Sequence, residues 1–197
     1  MQGRIRHLAI LSKQPEHMAD YYVEHMYLRD LETLPAGDVA LTDGFFNLTF
    51  LKERPELAGL GSELGPNHFG IQVDDVESLK VRLAQFAPNV KLEPATGPAG
   101  YGEYQLVDPN GCLVKVSTRP FGVKTEVREL PGIRHVAMRV GDTDLGVDFY
   151  VNVFGFREVS SSRKNREQGS PARFVGDGFT SLAILPNSTL SQRSAVA

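Results

Sequence analysis

The chain has 197 residues, of which 41% are hydrophobic and 23% charged, as is usual for a globular protein. Its 21 basic and 24 acidic residues give a net charge of −3, which argues against a nucleic-acid footprint and against a polybasic membrane patch. The single cysteine, Cys112, excludes intramolecular disulfides, and no apolar run approaches the roughly 20 residues that span a bilayer.

The first predicted elements are a short apolar strand that contains His7 and a helix over roughly Pro15 to Tyr27. Apolar residues at helical spacing form the predicted inner face of this helix: Met18, Tyr22, Val23 and Met26. Short strands separated by Gly, Pro and Asp follow the helix. Residues 1–60 are therefore predicted to form a βαβββ unit, unit one.

A second unit of the same kind is predicted over residues 61–118 and is called unit two. It opens with a strand that contains His68 and closes with a strand over Cys112 to Ser117. The predicted inner face of its helix consists of Val76, Leu79, Leu83 and Phe86. The charged stretch 119–131, bounded by prolines, is the predicted linker to the rest of the chain.

Unit three, residues 132–197, repeats unit one. Gly132 to Met138 matches Arg4 to Ile10 at a spacing of 128 residues, so that His135 corresponds to His7. A later match, of Asp43-Gly44-Phe45 with Asp177-Gly178-Phe179, has a spacing of 134 residues, and a polar loop around Ser161 to Arg166 is predicted to absorb the difference. The predicted inner face of the helix consists of Leu145, Phe149, Val153 and Phe154.

The opening strand of each unit alternates between two faces. One face is apolar and is predicted to pack on the helix. The other carries a histidine followed two residues later by a small residue, namely His7 with Ala9, His68 with Gly70 and His135 with Ala137. We therefore expect this second face to line a cavity.

These histidines are accompanied by a strand-to-helix junction at Gln72 to Val76 and by the motif Tyr104-x-x-x-Asp108-Pro109-Asn110-Gly111 before the last strand of unit two. With these features in this order, the chain resembles the vicinal oxygen chelate (VOC) superfamily. That group includes glyoxalase I, bleomycin- and fosfomycin-resistance proteins and extradiol ring-cleaving dioxygenases. The resemblance implies an α+β fold of tandem βαβββ modules whose mixed sheets form cups, with three modules present of an expected four. The layout is most similar to that of two-domain extradiol dioxygenases, so residues 1–118 would form a first VOC domain and residues 132–197 an incomplete second one.

The resemblance also implies that the first and last strands of each unit supply metal ligands. In the first domain these positions are His7, Asn47, His68 and Lys115, so an amide and an ammonium stand where relatives often have carboxylates. Because a lysine ammonium has no lone pair to donate, we expect the first domain to be free of metal and its histidines to be buried and hydrogen-bonded, with metal ligation as the alternative. Lys115 is then either a rim lysine or a fixed cation for a substrate carboxylate or phenolate. Asn47 and Tyr104 are the other candidate substrate-binding residues.

In the second domain, His135 matches the first metal-ligand position. The ligands of a fourth unit would fall beyond Ala197, which leaves three explanations open. The chain is a piece of a four-unit enzyme, or a second copy completes its cup in a homo-oligomer, or the protein has abandoned catalysis.

The function implied by the resemblance is that of a dioxygenase-like oxidoreductase. Its small-molecule substrate would be an aromatic diol or a similar compound with two neighbouring oxygens. The cofactor would be Fe(II) or Mn(II) in a complete cup, and the chain as given would bind none if the cup stays incomplete. The alternatives are a non-catalytic small-molecule-binding protein of the bleomycin-resistance type and a glyoxalase-like isomerase or lyase. A reducing, cytoplasmic setting is the expected location, with no nucleic acid or membrane as partner.

Overall fold

The computed structural model describes residues 2–34, 36–54, 64–96, 101–125, 127 and 131–187. Their strands form an eight-stranded mixed sheet and a four-stranded mixed sheet, which confirms the predicted α+β class with βαβββ modules. None of the helices in these ranges is long and apolar enough to cross a membrane.

Each unit contains one strand, one helix and three further strands. Unit one consists of β1 (Arg4–Ser12), α1 (Pro15–Met26), β2 (Arg29–Thr33), β3 (Val39–Thr42) and β4 (Asn47–Lys52). Unit two consists of β5 (Gly65–Gln72), α2 (Val76–Phe86), β6 (Glu93–Pro94), β7 (Tyr104–Val107) and β8 (Leu113–Ser117). Unit three consists of β9 (His135–Val140), α3 (Thr143–Phe154), β10 (Arg157–Glu158), an extra helix α4 (Ser160–Glu167), β11 (Arg173–Gly176) and β12 (Ser181–Pro186).

The three units share one strand order, in which the first strand pairs in parallel with the last: β1 with β4, β5 with β8 and β9 with β12. Antiparallel pairing of β1 with β5 joins units one and two into the large sheet, β2-β3-β4-β1-β5-β8-β7-β6. The small sheet has the order β10-β11-β12-β9, so β9 is an edge strand among the described residues. Two units thus share a sheet, and the third has a sheet of its own.

The helices begin where the sequence predicts. Pro15 starts α1, the Asp75 side chain accepts hydrogen bonds from Glu77 N and Ser78 N, and the Asp142 side chain accepts one from Leu145 N. The predicted inner faces are only partly right, because Val23, Met26, Phe86 and Leu145 are exposed. Each helix therefore contacts its sheet over a narrower strip than the apolar spacing predicts. In α1, the small residue Ala19 is buried while Val23 and Met26 are not.

The polar loop predicted around Ser161 to Arg166 is wrong, since this stretch forms α4. Two of its polar side chains, Ser162 and Arg166, contact residues outside the helix. Ser162 Oγ donates to Glu158 Oε1, and Arg166 contacts both Glu158 and Asp144. A helix with almost no apolar residues is thereby held against the small sheet by side-chain hydrogen bonds and ion pairs.

Units one and three contact each other through equivalent residues. Asp177 Oδ2 accepts from Ile5 N at 2.6 Å, and Asp43 Oδ2 accepts from Ile133 N at 2.7 Å. The rings of Phe45 and Phe179 stack with centroids 5.3 Å apart. Because Ile5 corresponds to Ile133 and Asp43 to Asp177, the two units meet around an approximate two-fold axis.

Units two and three pack through α2, α3 and the Asp-Pro-Asn-Gly turn. Buried apolar side chains of all three units form one cluster, the main core, which includes Tyr150. Tyr150 OH donates to Asp108 Oδ2 at 2.7 Å, and desolvation raises the pKa of both groups. Asn110 forms two hydrogen bonds with the backbone of Asp142 at the start of α3. The turn motif therefore positions unit three as well as ending unit two.

Candidate functional site

One row of side chains crosses the middle of the large sheet on the face away from the helices. In this row Asn47 lies opposite His7, His7 opposite Gly70, Gly70 opposite Lys115, and Lys115 opposite Gln105 on β7. We call this face, with His7, Asn47, His68 and Lys115, the closed cup. All four of these candidate site residues are buried.

The two histidines of the closed cup are in direct contact. His7 Nε2 lies 3.3 Å from His68 Nε2, and His7 Nδ1 lies 3.0 Å from Asn47 Oδ1. Burial lowers the pKa of His7 to about 4 and that of His68 well below its ordinary value, and the nearby Lys115 charge acts in the same direction on both. Both rings are neutral at pH 7.

The hydrogen bonds decide which nitrogens carry the protons. Asn47 Oδ1 accepts from Thr49 Oγ1, and Asn47 Nδ2 donates to Phe121 O, so His7 must donate from Nδ1 and leave Nε2 as an acceptor. His68 then donates from Nε2 to His7. Asn67 Oδ1 lies 2.8 Å from His68 Nδ1 while Asn67 Nδ2 is buried without a partner, so a half-turn of that amide lets Nδ2 donate to Nδ1. The result is a neutral chain of hydrogen bonds.

The predicted free space in this cup is absent, because the start of the predicted linker fills it. The fully buried ring of Phe121 stacks on His7 with centroids 5.3 Å apart and planes 8° apart. A Cβ added to Gly70 would lie 2.5 Å from this ring, so the small residue makes room for Phe121 rather than for a cavity. Phe121 has a φ of 52°, in the left-handed region that non-glycine residues rarely adopt.

Lys115 points along the cup rather than out of its rim. Its ammonium donates to Thr96 O and to Gln105 Oε1, both at 2.6 Å. Both acceptors are neutral, and burial lowers the pKa of the lysine. Lys115 is therefore a buried cation whose hydrogen-bond partners are uncharged.

Tyr104 lies on the other face of the sheet from these residues. It is paired with Val116 and packs against the main core, whereas its neighbour Gln105 faces the cup and contacts Lys115. The cup-side position on β7 is thus Gln105, because strand alternation places adjacent residues on opposite faces. Phe121 and Gln105 were both missed from the sequence; an apolar residue inside a charged linker was the available signal for Phe121.

The equivalent face of the small sheet is uncovered in the described part of the chain. We call it the open face, with His135, Ala137 and Arg139 of β9, all three of which are exposed. His135 Nδ1 lies 2.9 Å from Ser181 Oγ, as His7 lies beside Asn47 in the closed cup. Its Nε2 is the atom left to bind a ligand.

Neither face fits a divalent metal as described. In the closed cup both polar atoms of Asn47 are engaged, Lys115 has only protons to offer, and Phe121 occupies the space beside His7. The open face offers one imidazole and a serine hydroxyl. Within the described ranges, no three His, Cys, Asp or Glu side chains come together as a metal site requires.

The same arrangement of units recurs in known proteins. Residues 132–195 match the model of the Glyoxalase/Bleomycin resistance protein/Dioxygenase superfamily. Unit three is thus similar in sequence to this superfamily, and the whole chain shares the fold of the solved structures below. The resemblance to the VOC superfamily is therefore confirmed. No protein of curated function matches the sequence significantly.

Three solved structures illustrate the relation of the VOC fold in this chain to its neighbours. The Mn(II)-bound glyoxalase from Novosphingobium aromaticivorans is 16% identical, with a TM-score of 0.68 over 93% of this chain and 62% of its own. Homoprotocatechuate 2,3-dioxygenase from Brevibacterium fuscum, in complex with 3,4-dihydroxyphenylacetate, is 14% identical, with a TM-score of 0.63 over 93% and 60%. The 2,3-dioxygenase LapB from Pseudomonas sp. KL28 is 14% identical, with a TM-score of 0.66 over 94% and 71%. The chain spans less than two thirds of the first two, and similarity at this level of identity concerns the fold.

Proposed function

We propose that this VOC protein is dioxygenase-like and acts on a small aromatic substrate with two neighbouring oxygens at the open face of unit three. The observation that carries the proposal is the contrast between equivalent strands. The histidine of β1 is enclosed and hydrogen-bonded, whereas His135 of β9 is exposed, with its ring oriented by Ser181. A glyoxalase and a 2,3-dioxygenase both have the same fold as this chain, which supports this class of chemistry.

In this proposal the closed cup has a structural role and the open face a functional one. Ser181 Oγ holds Nδ1 of His135 and leaves Nε2 directed away from the strand as a ligand. A metal ion would need further ligands from outside the described residues, because one imidazole cannot hold it alone. Fe(II) or Mn(II) is the proposed ion.

The proposal is tested by oxygen uptake of the full chain loaded anaerobically with Fe(II), with 3,4-dihydroxyphenylacetate and catechol as probes. We expect uptake with ring-cleaved product, lost in His135→Ala and kept in His17→Ala, which replaces a histidine on α1. Absence of uptake by the Fe(II)-loaded chain contradicts the dioxygenase proposal. Uptake that persists in His135→Ala contradicts the role of that residue.

We propose that a second copy of the chain pairs with the edge strand β9. No described strand pairs with the outer side of β9, and an edge strand is a ready template for pairing with another chain. We expect light scattering after size-exclusion chromatography to give twice the mass of the chain, and Arg139→Pro, near the end of the edge strand β9, to lower it. A monomer at high concentration contradicts this assembly.

A further inference from the structure

The buried ammonium of Lys115 has one hydrogen-bond donor more than the described residues accept. An ammonium has three N–H groups, and Lys115 donates to two acceptors, Thr96 O and Gln105 Oε1. The charge lies close enough to His7 and His68 to affect both. A buried cation with only neutral partners is a strong attractor for a small anion.

Two acidic side chains in this part of the molecule, Glu103 and Glu32, are engaged with other partners. Glu103 accepts from Ser117 Oγ and from the backbone N of Thr118, and it pairs with Arg119. Glu32 accepts from Tyr101 OH, whose ring lies 5.8 Å from that of His7. The histidines are neutral, and a protonated imidazole would repel the ammonium of Lys115 rather than balance it.

An aromatic ring already occupies the cup at Gly70, the residue paired with Lys115 on the next strand. Phe121 stacks flat on His7 and lies against Gly70, which shows that this wall accepts a phenyl ring. The ring belongs to a residue with an unfavourable φ of 52°, followed by Gly122 with a φ of 80°. Release of Phe121 therefore relieves backbone strain and opens a place of aromatic size.

We propose that the closed cup binds a small aromatic anion, a carboxylate or a phenolate, whose ring replaces that of Phe121 on His7 and whose charge pairs with Lys115. Phe121 then acts as an internal competitor, and residues 119–125 form a strap that opens when the ligand enters. This site needs no metal. It lies on the large sheet and does not rest on the function proposed for the open face.

The proposal is tested by calorimetric titration of the full-length protein with benzoate and with benzamide, which differ in charge but hardly in shape. The variants are Phe121→Ala, Phe121→Leu and Lys115→Met. Lys80→Met is the matched control, because it removes an exposed lysine that pairs only with Glu77 on its own helix. His135→Ala separates this site from the open face.

We expect benzoate to bind the wild type weakly and to bind the Phe121 variants at least about tenfold more tightly, because the internal competitor is gone. Benzamide should bind all of them at least about tenfold more weakly than benzoate, since it carries no charge for the buried ammonium. Lys115→Met should abolish the preference for benzoate, while Lys80→Met and His135→Ala leave it unchanged.

Phe121→Leu keeps an apolar side chain, so its affinity for benzoate is compared with that of the wild type if Phe121→Ala does not fold. Equal binding of benzoate and benzamide overturns the proposal, and so does a preference for benzoate that survives Lys115→Met. Absence of benzoate binding by the wild type and by every folded Phe121 variant also overturns it.

Discussion

The closed cup and the open face are built from nearly the same strand. In β1 the residues His7 and Ala9 are buried, whereas in β9 the equivalent residues His135 and Ala137 are exposed. The local sequence and the parallel partner strand are alike in both places. What differs is the second neighbour, since β5 pairs with β1 and no described strand takes that place beside β9. A histidine of the same motif is therefore a neutral core residue in one unit and an exposed side chain in the other.

The largest expected difference concerns the two alanines. Ala9→Lys should destabilise the protein by about 5 kcal/mol, because it overpacks the cup and buries an unpaired charge. Ala137→Lys should cost less than about 0.5 kcal/mol at concentrations where the chain is monomeric. Urea unfolding of the two variants checks this. Similar losses for both would mean that the open face is covered.

Phe121→Ala should lower the free energy of unfolding by about 4 kcal/mol, since it empties the space on His7 and Gly70. Its control is Phe179→Ala, which removes a half-exposed ring that stacks on Phe45. Denaturant titration gives both values. A loss below about 1 kcal/mol for Phe121→Ala would show that the strap does not seal the cup.

Acid should weaken the closed cup through its imidazoles. The pKa of His7 is about 4 in the folded protein against 6.5 as its ordinary value, so the unfolded chain binds more protons between these values. Stability is then complete above about pH 6.5 and falls by about 3 kcal/mol as the pH drops to about 4. His68 contributes in the same direction.

Unfolding free energies measured across this pH range check the prediction for the imidazoles. The dependence should become shallower in His7→Gln, while His135→Gln, on the open face, should leave it unchanged. A dependence that is the same in His7→Gln as in the wild type contradicts the assignment to the closed cup.

The contact between units one and three gives the smallest effect. Asp177→Ala and Asp43→Ala should each cost about 2 kcal/mol, because each leaves backbone N–H groups without an acceptor. The two losses should be less than additive, since the pairs belong to one interface. A double-mutant cycle by urea unfolding measures the coupling, and strict additivity would show that the two anchors act separately.

The repeats, the βαβββ order of elements along the chain and the positions of the histidines were predictable, because they depend on strand alternation and on the spacing between copies. The filling of the closed cup was not predictable. Phe121 reaches His7 because its backbone is in the left-handed region, and a phenylalanine at that position does not predict this conformation. From the sequence, Tyr104 is a candidate cup residue, but its neighbour Gln105 lies there instead. Adjacent residues of a strand point to opposite faces, so an error of one position along β7 reverses the two faces. The helix α4 depends on ion pairs with Glu158 and Asp144, which only the folded chain brings together. Whether His135 and Lys115 have the proposed roles stays a prediction.

The bond from Ile5 N to Asp177 Oδ2 joins the two ends of the described chain. During synthesis, Ile5 leaves the ribosome long before Asp177 has been made. The backbone N–H of Ile5 therefore cannot form this hydrogen bond until unit three has been synthesised. Contacts this distant in sequence are expected to form late and slowly. Unit three, whatever binds to its open face, therefore completes the first strand of the protein.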